Sequence, residues 1–150
     1  MTRLEQFIAF SALLTGEEAV ALSGTGVAAE LLAALDEITG AALTDELLAR
    51  FAALPAGMQA EQAAGDSIMA DPRLGPVARN VILLWLTGSW TQLPDAWRDS
   101  FGASPSDRNH VISAQSYQAG LQWTIAGAHP SGALQQGYGA WAMAPGSTAP

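Results

Sequence analysis

Asp71-Pro72-Arg73-Leu74-Gly75-Pro76-Val77-Ala78-Arg79-Asn80-Val81-Ile82-Leu83-Leu84-Trp85-Leu86-Thr87-Gly88 is the stretch whose reading decides the fold. Aspartate caps a helix by accepting free backbone amides at its start, and proline fits the first helical position, where an N–H would have no partner. Val77, Val81, Leu84 and Trp85 carry this helix to Thr87, and Gly88 supplies the stop. From Val81 to Leu86 the chain is apolar on every side, which places the helix at the centre with neighbours covering it. The run is far short of the ~20 residues that cross a bilayer, so no membrane span is expected.

Toward the amino end the pattern is one of short helices separated by glycine. Thr2 and Glu5 have the spacing of a capping box, and Leu4, Phe7, Ile8, Ser11 and Leu14 recur on one helix face up to Gly16. A second helix is predicted from Thr25 to Thr39, with Val27, Leu31, Leu35 and Ile38 facing inward and Gly40 as its stop. A third is predicted to begin at Thr44, where Asp45 and Glu46 suit the positive helix end, and to carry Leu47, Leu48, Phe51 and Leu54 to Pro55. Met58 to Ala70 reads as helical with an internal Gly65.

Beyond the central stretch, Asp95 to Phe101 is predicted to make one or two turns, and Ser113 to cap a helix carrying Tyr117, Leu121 and Trp123. No segment alternates with a period of two, so no sheet is expected. After Ile125 the prolines and glycines Pro130, Gly132, Gly137, Gly139, Pro145, Gly146 and Pro150 forbid a long regular element. Tyr138, Trp141 and Met143 are nevertheless interleaved with them, and disordered tails are poor in such residues. The expectation is an all-α fold: a bundle of five to six short helices over residues 1–124, and an extended segment over 125–150 that docks its rings, both within one structural domain.

Length and charge bound the function. The chain has 150 residues, 49% hydrophobic and only 13% charged, with 6 basic and 14 acidic side chains for a net charge of −8. All six bases are arginine. Nucleic acid and anionic lipid both need a basic surface that this balance does not supply. The charge is also unevenly spread: up to Asp71, eleven acids face Arg3 and Arg50, and beyond it three acids face four arginines. Two halves with different roles are expected.

With zero cysteines, the sequence holds no disulfide, thiolate nucleophile or cysteine-ligated cluster. His110 and His129 lie outside any HxxxH or HExxH spacing, so no metal site is assigned. Gly24 and Gly26 lack the third glycine and the preceding strand of a dinucleotide loop. The acid pairs Glu17-Glu18, Asp36-Glu37 and Asp45-Glu46 sit at helix ends or turns, where solvated carboxylates are ordinary. Asp107, His110 and Ser113 offer the residue types of a hydrolase triad, but within one short loop and without a GxSxG elbow. They define the alternative reading, a stand-alone small helical enzyme or ligand-binding protein with a polar centre at Asp107 and His110.

The tryptophans Trp85, Trp90, Trp97, Trp123 and Trp141 all fall in the second half. Trp85 suits a helical core. Trp90, Trp97 and Trp141 neighbour loops, and large rigid rings of this kind are enriched at protein interfaces. Trp90, Trp97, Tyr117, Trp123, Tyr138, Trp141 and Met143 are therefore the candidate partner-binding residues.

The sequence resembles the small subunit of bacterial membrane-associated, FAD-dependent sugar and polyol dehydrogenases of the sorbitol, fructose and glucose dehydrogenase type. Phe7-Ile8-Ala9-Phe10-Ser11-Ala12-Leu13-Leu14-Thr15-Gly16 is similar to that family's opening helix, and Ile82-Leu83-Leu84-Trp85-Leu86-Thr87-Gly88 to its central one. Tyr117 to Leu121, then Gly137-Tyr138-Gly139-Ala140-Trp141-Ala142 and Pro145, resemble its terminal helix and Gly-Tyr-Trp-Ala-Pro segment. The resemblance implies a non-catalytic accessory subunit. Its partner would be a large subunit of the glucose-methanol-choline oxidoreductase type, which holds FAD and the sugar site. A cytochrome c subunit often completes such complexes. The family's usual cysteine before the Gly-Tyr-Trp run is replaced here by His129-Pro130-Ser131-Gly132, so a covalent tie through that position is not expected. The resemblance implies a periplasmic place, or the periplasmic face of the inner membrane, if an export signal has been removed, and a cytoplasmic one otherwise.

Overall fold

The computed structural model describes residues 1–128, and within them the protein is mostly helical. The predicted positions of Tyr138, Trp141 and Met143, and the extended segment that contains them, lie outside the described residues. Helix α1 (Arg3–Thr15) starts with the predicted capping box, in which the Thr2 hydroxyl and the Glu5 carboxylate each accept the other residue's backbone N–H. It ends on Gly16 in the left-handed conformation. The predicted face is rotated slightly: Phe7, Phe10 and Ser11 are fully buried, while Leu4, Ile8 and Leu14 flank them.

A short α2 (Ala19–Gly24), which the sequence pattern did not reveal, precedes α3 (Ala28–Thr39). Val27, Leu31, Leu35 and Ile38 are all buried, as their spacing requires. Gly40 adopts φ 88°, closes α3 and at once opens α4 (Ala41–Ala52). The third helix thus begins three residues before the expected Thr44, which is buried inside its first turns. A side chain of Arg3 explains why so tight a corner holds. It clamps Asp36 on α3 through two bonds of 2.6 and 2.8 Å and reaches Asp45 on α4 at 2.7 Å. These bonds hold the Asp36 carboxyl below the usual carboxylate range, against the opposing effect of partial burial, and raise the Arg3 guanidinium further.

Residues 57–69 are helical with a changing pitch: a 3₁₀ turn, then α5 (Ala60–Ala64), then a π turn over Gly65–Met69. The wide turn brings the Met69 carbonyl against the central helix, where a Cβ on Gly75 would lie 2.4 Å from its oxygen. Asp71 accepts from the Arg73 and Leu74 amides at 2.8 and 2.9 Å, as its capping role predicts, but α6 starts at Leu74 (Leu74–Thr87), so Pro72 lies in the turn before the helix rather than at its first position. Those amides, the Leu74 one first, keep the Asp71 carboxyl low.

The inward face of α6, including Leu74, Val77, Val81, Leu84 and Trp85, packs on α1, α3 and α4, and the Trp85 ring stacks on Phe7. The charge division at Asp71 is therefore not a division in space. The neutral half supplies the central helix of the acidic half, and Arg73 crosses the boundary to meet Glu46 at 2.7 Å.

After the left-handed Gly88, Ser89–Trp90 (β1) pairs antiparallel with His110–Val111 (β2), so a two-residue ladder exists where no sheet was expected. Two residues are too few to leave a period-two pattern in the sequence. Helix α7 (Asp95–Phe101) matches its prediction. Ser113 caps as expected, in a reciprocal pair with Ser116, but the single helix predicted after it is two: α8 (Ala114–Gln118) and α9 (Gln122–Ile125). The break at Gly120 has a physical cause. The C-terminal turn of α6 leaves carbonyls without partners, and Leu121 N–H donates to Trp85 O at 3.0 Å while Ile112 N–H donates to Gly88 O at 2.9 Å.

Such contact demands bare backbone on both sides. A Cβ on Gly88 would lie 2.4 Å from the Ser116 carbonyl, and one on Gly120 would lie 2.7 Å from the Leu86 oxygen. Gly88→Ala is expected to destabilise the fold by at least about 2 kcal/mol in urea denaturation, through both the clash and its positive φ. Gly24→Ala, with open space and no positive φ, is expected to be neutral or to stabilise by up to about 1 kcal/mol. A depressed Asp36 contributes fully above its unfolded pKa of about 3.9 and loses that contribution as pH falls. The stability gap between the natural protein and Asp36→Asn should therefore narrow in melts taken from about pH 5 down to pH 2.

Candidate functional site

The seven expected partner-binding residues separate into three groups. Trp90 and Trp97 correct the expectation: they are 1% and 7% exposed and belong to the protein's own core. The loops beside them fold back over the rings, and both indole N–H groups are bonded internally, Trp90 to Asp107 Oδ1 at 2.8 Å and Trp97 to the Arg73 carbonyl at 2.8 Å. Trp90 therefore presents no face to another chain, and Trp97 keeps only the small exposed part that lines a surface cleft. Tyr138, Trp141 and Met143 lie outside the described residues.

Tyr117 and Trp123 are at the surface. The Tyr117 ring is edge-on to Trp123 with centroids 5.5 Å apart, and the Trp123 indole N–H donates to the Tyr117 carbonyl at 2.9 Å. Tyr117 is 39% exposed and Trp123 is half-buried beside it, while Ile125, the last residue of α9 and two positions from Trp123, is 67% exposed on another side of that helix. This aromatic surface stands on a rigid base, since Gly88, Gly120 and the Leu121–Trp85 bond fix α8 and α9 to the end of the central helix. The Ala128 amide donates to Trp123 O at 2.8 Å, so the chain runs directly from this surface into residues 129–150. Ile125 was absent from the expected set, although an isoleucine in a four-residue helix with nothing to bury it could have marked it.

Asp107 is the hub of the second half. It is buried, and its Oδ1 accepts from the Trp90 indole and from the Leu93 amide at 3.0 Å, while its Oδ2 lies 3.0 Å from Arg98 Nε. The Arg98 N–H is off line for a hydrogen bond, so that contact satisfies charge without satisfying direction. Asn80 closes the same region by holding the backbone of Thr91 with both ends of its amide, at 2.8 and 3.3 Å.

His110 is elsewhere engaged: its Nδ1 lies 2.6 Å from the Arg108 carbonyl, a contact that a carbonyl can only accept. Ser113 is a helix cap and donates its hydroxyl to Glu30 at 2.8 Å. No hydrogen bond joins Asp107, His110 and Ser113 among the described residues, so the expected polar centre is not assembled. No cluster of three metal-type ligands occurs among them either.

Beside Asp107 a cleft of about 410 Å³ opens between the α3–α4 corner and α7. Ile38, Leu43, Leu93 and Trp97 make its apolar lining, and Glu37 and Phe101 also line it. Sequence reading passed over Glu37 as a solvated acid and Phe101 as the end of a short helix. Trp97 and Phe101 are four residues apart, with centroids 5.4 Å from one another, so α7 buries the first ring and leaves the second 43% exposed.

Compared with known proteins, the chain matches no family model, no curated protein and no solved structure. Asp107→Ala leaves the Trp90 indole, the Leu93 amide and the Arg98 guanidinium without their acceptor, and is expected to cost about 3 kcal/mol in urea denaturation. Asp107→Asn keeps an oxygen for the Trp90 indole and the Leu93 amide and should cost clearly less. Trp123→Ala, at the surface, should change stability by less than either.

Proposed function

We propose that this protein is a non-catalytic small subunit that binds and stabilises an FAD-containing sugar or polyol dehydrogenase of the glucose-methanol-choline type, and assists its export. The observation that carries the reading is the Tyr117–Trp123 pair at the surface, after which the sequence continues into a stretch bearing Tyr138, Trp141 and Met143. A Trp123 ring held by its indole hydrogen bond, with the Tyr117 ring packed edge-on against it, presents apolar area to a partner at small entropic cost. FAD belongs to the partner in this reading, and this chain contributes no residue to catalysis, cofactor or metal. A cytochrome c subunit joins through the complex rather than through this chain. With no cysteine in the sequence, no disulfide from these residues contributes to the association.

The large subunit in this reading is a flavin-binding GxGxxG protein encoded in the neighbouring reading frame. Co-expression of the two should yield a complex with flavin absorbance, and each of Trp123→Ala and Trp141→Ala should weaken it by about tenfold or more while leaving the melting temperature of the free chain near its natural value. Phe7→Ala should do the reverse, lowering fold stability by about 3–5 kcal/mol with little effect on association of the molecules that remain folded. Equal losses of assembly and of folding in all three variants count against docking through this surface. A monodisperse, colourless monomer that turns over a sugar, ester or thioester by itself overturns the accessory role.

A further inference from the structure

Among the described residues, the carboxylates around the α3–α4 corner are paired with guanidinium groups, with one exception. Asp36 and Asp45 share Arg3, Glu46 holds Arg73, and Asp107 faces Arg98. Glu37, on the rim of the cleft of about 410 Å³, has only the Ser106 hydroxyl, which donates to its Oε1 at 3.1 Å. Two further features converge on the same cleft. Phe101, 43% exposed, lines it, and Leu43 and Trp97 supply an apolar wall. Arg73 also lines the cleft, but Glu46 neutralises it at 2.7 Å.

An unpaired carboxylate beside an exposed aromatic ring is the surrounding that a cation on an apolar stem requires. The charge meets Glu37 and the face of Phe101, and the methylenes cover the apolar wall. An arginine adds paired in-plane N–H donors, which match the two oxygens of the exposed Glu37 carboxylate. We propose that this cleft is a docking pocket for an arginine side chain presented by a partner protein, which the net charge of −8 favours on approach. The pocket stands on its own geometry. Only the identity of the chain that presents the arginine rests on the accessory-subunit reading.

The test uses the full chain alone with Nα-acetyl-arginine amide as probe, followed by NMR at the Trp97 indole and Phe101 ring. Saturable shifts in the millimolar range are expected, at least about threefold weaker in Glu37→Gln and in Phe101→Ala, and weakened by added salt. Both side chains are exposed, and unchanged melting temperatures would confirm that the variants are folded. The absence of saturable shifts, equal binding of Nα-acetyl-norleucine amide, or undiminished binding by Glu37→Gln would each overturn the pocket. Because no flavoprotein is present, such a failure is distinct from any failure of the complex to form.

Discussion

The structure depends on the close approach of two pieces of bare backbone at the end of the central helix. A helix buried by its neighbours cannot leave its last carbonyls to water, so another segment must bring amides to them. Residues 112–121 do so, and they reach Trp85 O and Gly88 O only because positions 88 and 120 carry no Cβ. Much of the second half follows from this contact. The ladder between Ser89–Trp90 and His110–Val111 lies beside it, and α8 is fixed in place by it. The exposed Tyr117 and the half-buried Trp123 beside it inherit a rigid mounting from the same bonds.

Electrostatics works differently here from what the composition suggests. With so few charges, the arginines act as ties between particular elements. Arg3 joins α1 to both helices of the Gly40 corner, Arg73 joins the start of α6 to α4, and Arg98 faces the buried Asp107. The acidic excess up to Asp71 therefore does not mark out a separate body. It is the outer charge of helices that pack on the inward face of a central helix without an acidic residue.

The aromatic residues show where sequence reading meets its limit. Trp90, Trp97 and Trp123 have similar neighbours in sequence, each near a glycine or a proline, yet the first two are inside and the third is at the surface. What distinguishes them is the distant acceptor or cover each one finds: Asp107 for Trp90, seventeen residues away, and the backbone of Arg73 for Trp97, twenty-four residues away. Trp123 bonds only six residues back, to its neighbour Tyr117, and no core element closes over the pair. Nothing in the local pattern encodes those distances.

Elements set by local interactions were legible from the residues alone. The capping box at Thr2 and Glu5, the aspartate cap at Asp71, the left-handed stops at Gly16 and Gly88, and the inward set Val27, Leu31, Leu35 and Ile38 all involve groups within one or two helical turns, where spacing fixes geometry. The helical class followed from these. Tertiary structure alone decided the early start of α4, which the Arg3 clamp across the Gly40 corner accompanies, and the division of α8 from α9, where Gly120 meets Leu86 and Leu121 bonds Trp85. It alone also made Asp107 a structural hub and left Glu37 and Phe101 together on one cleft. Those outcomes join residues far apart in the chain, and their energies exist only once the chain has folded to bring them into contact.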